Sequence, residues 1–271
     1  MSLLRTALLA SLLASPGAAL AAPPRVQAEA AHLVLGDKAA LPLTVTPSRP
    51  GAVLRAAANA GTLAELPAEK GGEVGGARRF VYRPPPGRAP RTALLAFWEE
   101  GEGAPELAVH RVPLHGRLSL KVATRPGAEV TVQVAGRDFG PVRASRAGGA
   151  AVDVEVPPDV TRAQVEARSA QQVKRTELPI DVPATSPLWV LMVPETLSGS
   201  RPSHLFVVHT GALNAPMLEF VSRGLRLQRV KVFRDRALFR VERVQDGRAP
   251  HLEVRVAGEA GAEAVLDPAE G

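Results

Sequence analysis

The 271-residue chain contains no cysteine. That absence excludes disulfide staples, thiol catalysis, Cys-ligated metals and a lipid-modified N-terminal cysteine, so each folded unit must stand on its hydrophobic core. Aromatic residues are scarce too, at 4%, with Tyr82, Trp98 and Trp189 beside seven Phe. Few rings are therefore on hand to stack bases or sugars. Beyond the N-terminus no apolar run approaches the roughly 20 residues of a membrane-spanning helix. Catalytic signatures are missing as well. There is no G-x-S-x-G elbow, the 71–76 glycine stretch lacks the G-K-[ST] ending of a phosphate loop, and EF-hand spacing does not occur.

What is present begins with a leader. Arg5 gives a basic start, an apolar run from Ala7 to Ala14 follows, and Ser15-Pro16-Gly17 breaks it. Ala19-Leu20-Ala21 supplies the small residues that signal peptidase accepts, so residues 1–21 read as a cleaved signal peptide with Ala22 as the new N-terminus. The wealth of Ala, Arg, Gly and Pro looks like a high-GC bacterium, and the expected destination is periplasm, cell surface or medium.

Along the rest of the chain the dominant signal is period-two alternation. Val130, Val132 and Val134 alternate with Thr131 and Gln133; Val152, Val154 and Val156 with Asp153 and Glu155; Leu252, Val254 and Val256 with Glu253 and Arg255. Successive strand side chains point to opposite faces, so each run makes one apolar and one wet face. Strands of this length between Pro and Gly turns predict an all-β protein of tandem immunoglobulin-like sandwiches. The expected modules are 25–116, 117–183 and 184–257, with 258–271 a flexible tail. A helix over 161–171 is the main local rival, on propensity. Shifting the sequence by 163 places Leu43 on Phe206, Val45 on Val208 and Gly61 on Gly224, which suggests a repeat of the first module in the third.

Leu41-Pro42-Leu43-Thr44-Val45, the turn Asn59-Ala60-Gly61-Thr62-Leu63 and the step Phe80-Val81-Tyr82-Arg83-Pro84-Pro85 carry a resemblance. The first and third modules look like the bacterial immunoglobulin-like repeats of invasin-type surface proteins. The middle module is similar to small Ig-like domains of other secreted proteins, through its Pro-Gly-Ala turn and Val-x-Val strand. The resemblance implies a scaffold or adhesive role and transfers no catalytic, cofactor or metal residue.

One composition stands out. Residues 223–243 hold eight Lys or Arg against Asp235 and Glu242, a surplus equal to the formal +6 of the whole chain. Alternation there puts Val230 and Val232 inward and Arg229 and Lys231 outward, making Arg226, Arg229, Lys231, Arg234, Arg236 and Arg240 a candidate polyanion-binding face. Charged exposed strands also serve simply to prevent aggregation. Trp98 and Trp189 read as core, or as glycan-stacking rings if exposed. His110 and His115, like His204 and His209, are five apart and fall on opposite faces of a strand, so the six histidines read as structural or surface groups. The acidic group Glu99, Glu100 and Glu102 reads as a solvated hairpin tip rather than a glycosidase pair. The expectation is a non-enzymatic exported scaffold or adhesion protein without cofactor. Envelope polysaccharide, lipopolysaccharide or another surface protein are its partners, and nucleic acid is not. The alternatives are a glycan- or polyanion-binding protein using the third module's basic face, and a periplasmic pilus-type chaperone.

Overall fold

The computed structural model describes residues 22–36, 39–67, 76–101, 103–170, 172–197, 202–244 and 247–270. The expected signal peptide, most of the 71–76 loop, Glu102 and Gly199 lie outside the described residues. The all-β expectation holds: strands dominate, joined by turns and a 3-10 turn at Ala215–Met217.

The first module comprises β1 (Arg25–Ala28), β2 (Leu33–Val34), β3 (Leu41–Thr46), β4 (Leu54–Ala58), β5 (Thr62–Glu65), β6 (Arg78–Arg83), β7 (Arg91–Glu99) and the start of β8 (Ala108–Ala123). One sheet has the order β1-β3-β6-β5, and the facing one is built on β4, β7 and β8. Alternation buries Leu41, Leu43, Val45, Phe80 and Tyr82 against Leu95, Phe97, Val112 and Leu114. Phe80 meets Phe97 edge to face at 5.4 Å. The Tyr82 hydroxyl donates to the Ala60 carbonyl at 2.9 Å, and burial pushes its pKa up to about 12. That bond ties β6 to the turn at Gly61, whose φ of +82° demands glycine.

The second module adds β9 (Glu129–Val134), β10 (Arg137–Arg143), β11 (Gly149–Val156), β12 (Arg162–Ser169) and β13 (Gln172–Pro179). Ala135 and Gly136, both at positive φ, form the two-residue turn between β9 and β10. The rival helix does not form: β12 buries Ala163, Val165 and Ala167 alternately.

No linker separates these two modules. β8 runs for 16 residues without a break. Residues 108–114 pair with β7 and residues 116–123 with β11, giving one continuous sheet, β11-β8-β7-β4. Its parity never slips, so Val112 and Leu114 enter the first core while Leu120 and Val122 enter the second. The expected boundary at 116 thus falls inside a shared strand.

The third module contains β14 (Leu188–Val193), β15 (Thr196–Leu197), β16 (Ser203–His209), β17 (Leu218–Arg223), β18 (Leu225–Val232), β19 (Arg236–Arg243), β20 (His251–Val256), β21 (Glu263–Leu266) and β22 (Ala269–Glu270). Sheet β14-β16-β19-β18 packs on sheet β17-β20-β21 around Leu205, Val207, Phe239, Leu252 and Val254. Residues 258–270, expected as part of a flexible tail, carry strands and core contacts. β21 pairs with β20, β22 runs parallel to β15, and Ala262 and Leu266 pack on the core.

A fourth apolar cluster belongs to no single module. Leu94, Ala96, Trp98 and Leu107 of the first pack against Leu191, Phe206, Val208 and Leu238 of the third. β7 and β16 are consequently buried on both faces, which is why their sequences run apolar without alternation. Polar contacts rim this seam. Arg111 donates to the carbonyls of Thr210 and His209 and to Asp235 Oδ2 at 2.7, 2.9 and 2.8 Å, and Lys231 approaches Glu106 at 3.6 Å.

Candidate functional site

The basic stretch does not form the face expected of it. The pairing of β18 with β19 shifts between Arg229 and Lys231, so Val230 is bulged out. Arg229 then lies opposite Phe239, a core residue, and Lys231 opposite Leu238, a seam residue. Val230 and Val232, expected inward, are 52% and 47% exposed. Lys231 and Arg236 each lie over the Phe233 ring, at 4.6 and 4.3 Å, and Arg236 also bonds Asp235. Arg240 pairs with Glu242 at 3.0 Å, and Arg226 lies opposite Glu242 in register. Arg234 is exposed in the turn. The six candidate cations are spread over two faces, with acids among them.

Trp98 is buried in the seam, which rules out sugar stacking there, and Trp189 is half-buried against the same cluster. The two described members of the acidic group, Glu99 and Glu100, are held in structural ties. Glu99 is buried and accepts from Arg49 Nε at 2.9 Å and from the Ser48 backbone, while Glu100 pairs with Arg55 at 2.6 Å. Burial pushes the Glu99 carboxyl up, but the Arg49 and Ser48 hydrogen bonds outweigh it and hold the group low.

His204 and His209 do lie on opposite faces of β16, as the odd spacing required. His209 accepts the Gly211 N–H at Nδ1 (2.9 Å), so Nε2 carries the proton towards Glu259 (2.9 Å). His204 lies on the seam-facing side of its sheet, where burial and then the Arg240 charge keep its pKa below the usual imidazole range. This shift fixes a sign. An unfolded histidine titrates at about 6.5, so the stability held in the neutral His204 is complete above that pH and is lost as pH falls through the folded value. Replacing His204 with Gln removes this dependence. The stability gap between the native chain and His204→Gln, read from urea midpoints, should therefore shift against the native chain between pH 8 and pH 5. A constant gap would contradict the assignment.

Two surface constellations stand out among the described residues. On the outer face of the second module Thr131, Gln133, Gln164, Glu166, Arg175 and Glu177 line an open groove of about 750 Å³. Period-two alternation places them there, and Arg175 Nε–Glu166 Oε2 (2.8 Å) and Gln133 Nε2–Asp138 Oδ1 (3.0 Å) order the face. Amides, hydroxyl, carboxylates and guanidinium make it a surface for hydrogen-bonding partners, with no aromatic platform.

The other constellation sits where the first two modules meet. β2 pairs in parallel with β8, setting Leu33 beside Leu114 and Val34 beside His115, and this carries His32 to His115. Their rings stack with centroids 4.1 Å apart and planes 13° from parallel. Glu155 of β11 receives His115 Nδ1 at 2.6 Å and Arg137 Nη1 at 3.0 Å, with His32 Nε2 at 3.6 Å, all on Oε1. Burial pushes this carboxyl up, yet the His115 hydrogen bond and the charges of Arg137, His115 and His32 bring it below the usual range. Sequence spacing compared His115 with His110 and so missed it. The true partner is 83 positions upstream, and only the parallel pairing of a two-residue strand reveals it.

No family model and no curated protein sequence matches the chain. Among solved structures, the InvE adhesin of Yersinia pseudotuberculosis is 12% identical, with 79% of this chain and 72% of that one covered at a TM-score of 0.24. The Escherichia coli adhesin FdeC is 11% identical, with 93% and 98% covered at the same score. Likeness at that level carries no argument about function. Among the described residues no helix is long and apolar enough to cross a membrane.

Proposed function

We propose that the chain is a non-enzymatic interaction scaffold of the bacterial envelope, exported and built to hold three sandwiches in one fixed arrangement. The supporting observation is the double tie among modules: a strand shared by the first two, and an apolar seam closing the third onto the first. No cleft with convergent acid–base groups separates the sandwiches among the described residues. Glu99, Asp235 and His209 each hold a partner within or between the sandwiches. The outer face of the second module is the surface offered to a hydroxyl-bearing envelope polysaccharide.

Cosedimentation of the full chain with envelope polysaccharide tests this, with glycosidase and esterase assays run on the same sample. Saturable retention without turnover is expected, reduced several-fold by the paired change Gln133→Ala and Gln164→Ala. Turnover that survives repurification would overturn the reading.

A further inference from the structure

The geometry points to a divalent transition-metal site at the junction of the first and second modules, with His32, His115 and Glu155 as ligands and zinc as the natural ion. One ligand-capable atom from each of the three lies within 4.8 Å of the others. A four-coordinate zinc with bonds of about 2.0–2.2 Å separates its ligand atoms by roughly 3.3 Å. The two observed distances to Glu155 Oε1, 2.6 Å from His115 and 3.6 Å from His32, straddle that value. A small splay of the stacked rings meets the requirement without moving a strand.

The surroundings suit an ion that keeps one open position. His115 and Glu155 are 14% and 17% exposed in their side chains, so the inner wall is half-buried, whereas His32 at 43% faces solvent and leaves room for water. Two imidazoles and one carboxylate form a donor set that favours zinc and its neighbours over calcium or magnesium, which prefer all-oxygen shells. A cation already sits at the carboxylate: Arg137 Nη1 lies 3.0 Å from the same oxygen, on a side chain 61% exposed whose guanidinium also lies 5.5 Å over the Phe139 ring. The arginine thus competes with a metal for Glu155, and removing it strengthens the site. Bound metal would also pin the segment before β2 to β8 and β11, bracing the shared strand.

Isothermal titration of zinc chloride into the metal-stripped full chain at pH 7.5 provides the test, with thermal unfolding alongside. We expect saturable 1:1 binding that raises the midpoint. His32→Ala, His115→Ala and Glu155→Gln should each weaken it at least tenfold, and Arg137→Gln should tighten it. His251→Ala is the control. That ring splits its nitrogens between Asp267 (2.7 Å) and Glu253 (3.0 Å) on the third module, and its loss should change nothing. Absence of saturable binding overturns the site, as does zinc affinity unaltered in His32→Ala or lost in His251→Ala. His32 lies outside any strand, so its variant decides the matter even where His115→Ala fails to fold.

Discussion

Replacing Phe206 with Ala should cost about 3–5 kcal/mol, the usual range for a buried Phe, and should uncouple the third module from the first. Phe206 is 1% exposed, yet its side chain does not enter the core of its own sandwich. In β16 Leu205 and Val207 fill that core, whereas Phe206 and Val208 point across the seam to Leu94, Ala96 and Trp98. The variant therefore leaves each sandwich with its own core and empties the contact between them. Neighbouring side chains sit on strands already fixed by hydrogen bonding, so they cannot collapse far into the gap. The seam carries its own reporter. The chain has two tryptophans, Trp98 and Trp189, and both pack in this cluster. Urea unfolding followed by tryptophan emission should show a red-shifted transition in Phe206→Ala that precedes loss of the β-sheet circular dichroism signal. Coincident transitions with an unchanged midpoint would show that the seam contributes nothing.

The same strands show what the sequence could and could not reveal. Alternation in 130–134, 152–156 and 252–256 identified faces correctly because each of these strands has one buried side. The runs of β7 and β16 lack alternation because both of their faces are buried, but nothing local says what covers a second face. That information lies in another module. The shift of 163 illustrates the limit. It matches Leu43 and Val45, which fill the first core, with Phe206 and Val208, which face the seam. The apparent repeat superposes residues doing different work. Likewise Val230-Lys231-Val232 reads as clean alternation, and only the pairing with β19 exposes the bulge that splits Arg229 from Lys231. The Ala- and Gly-rich ending suggested fraying because composition ignores register. Val265 is 61% exposed, so β21 is held largely by ladder hydrogen bonds to β20, with Ala264 and Leu266 as its apolar anchors. The His32–Glu155 cluster left no sequence trace, since its three members owe their meeting to strand order alone.

Gly116 is where the shared strand is most vulnerable. It lies at the point where β8 leaves β7 and takes up β11, pairing with Val156. A Cβ there would stand 2.4 Å from the Arg88 carbonyl oxygen and 2.7 Å from Pro90 Cδ. Both obstacles belong to the loop ahead of β7, one backbone and one a rigid ring, so neither yields by a rotamer change. An alanine must push that loop outward or bend β8 away from it, at a cost of about 1–3 kcal/mol for overpacking, and valine must do worse. Bending β8 is the more damaging route, because a single strand feeds two cores and a kink disturbs Leu114 and Leu120 together. Gly149, at the start of β11, provides the contrast. It sits at an ordinary φ, and the nearest atom to an added methyl would be Ser145 Oγ at 3.8 Å, so Gly149→Ala should change stability by less than about 0.5 kcal/mol. Urea midpoints of the two alanine variants should therefore differ clearly, with Gly116→Ala lower and Gly149→Ala indistinguishable from the native chain. Equal midpoints would mean that the loop before β7 is loose enough to step aside, and that β8 does not lock the first two modules together.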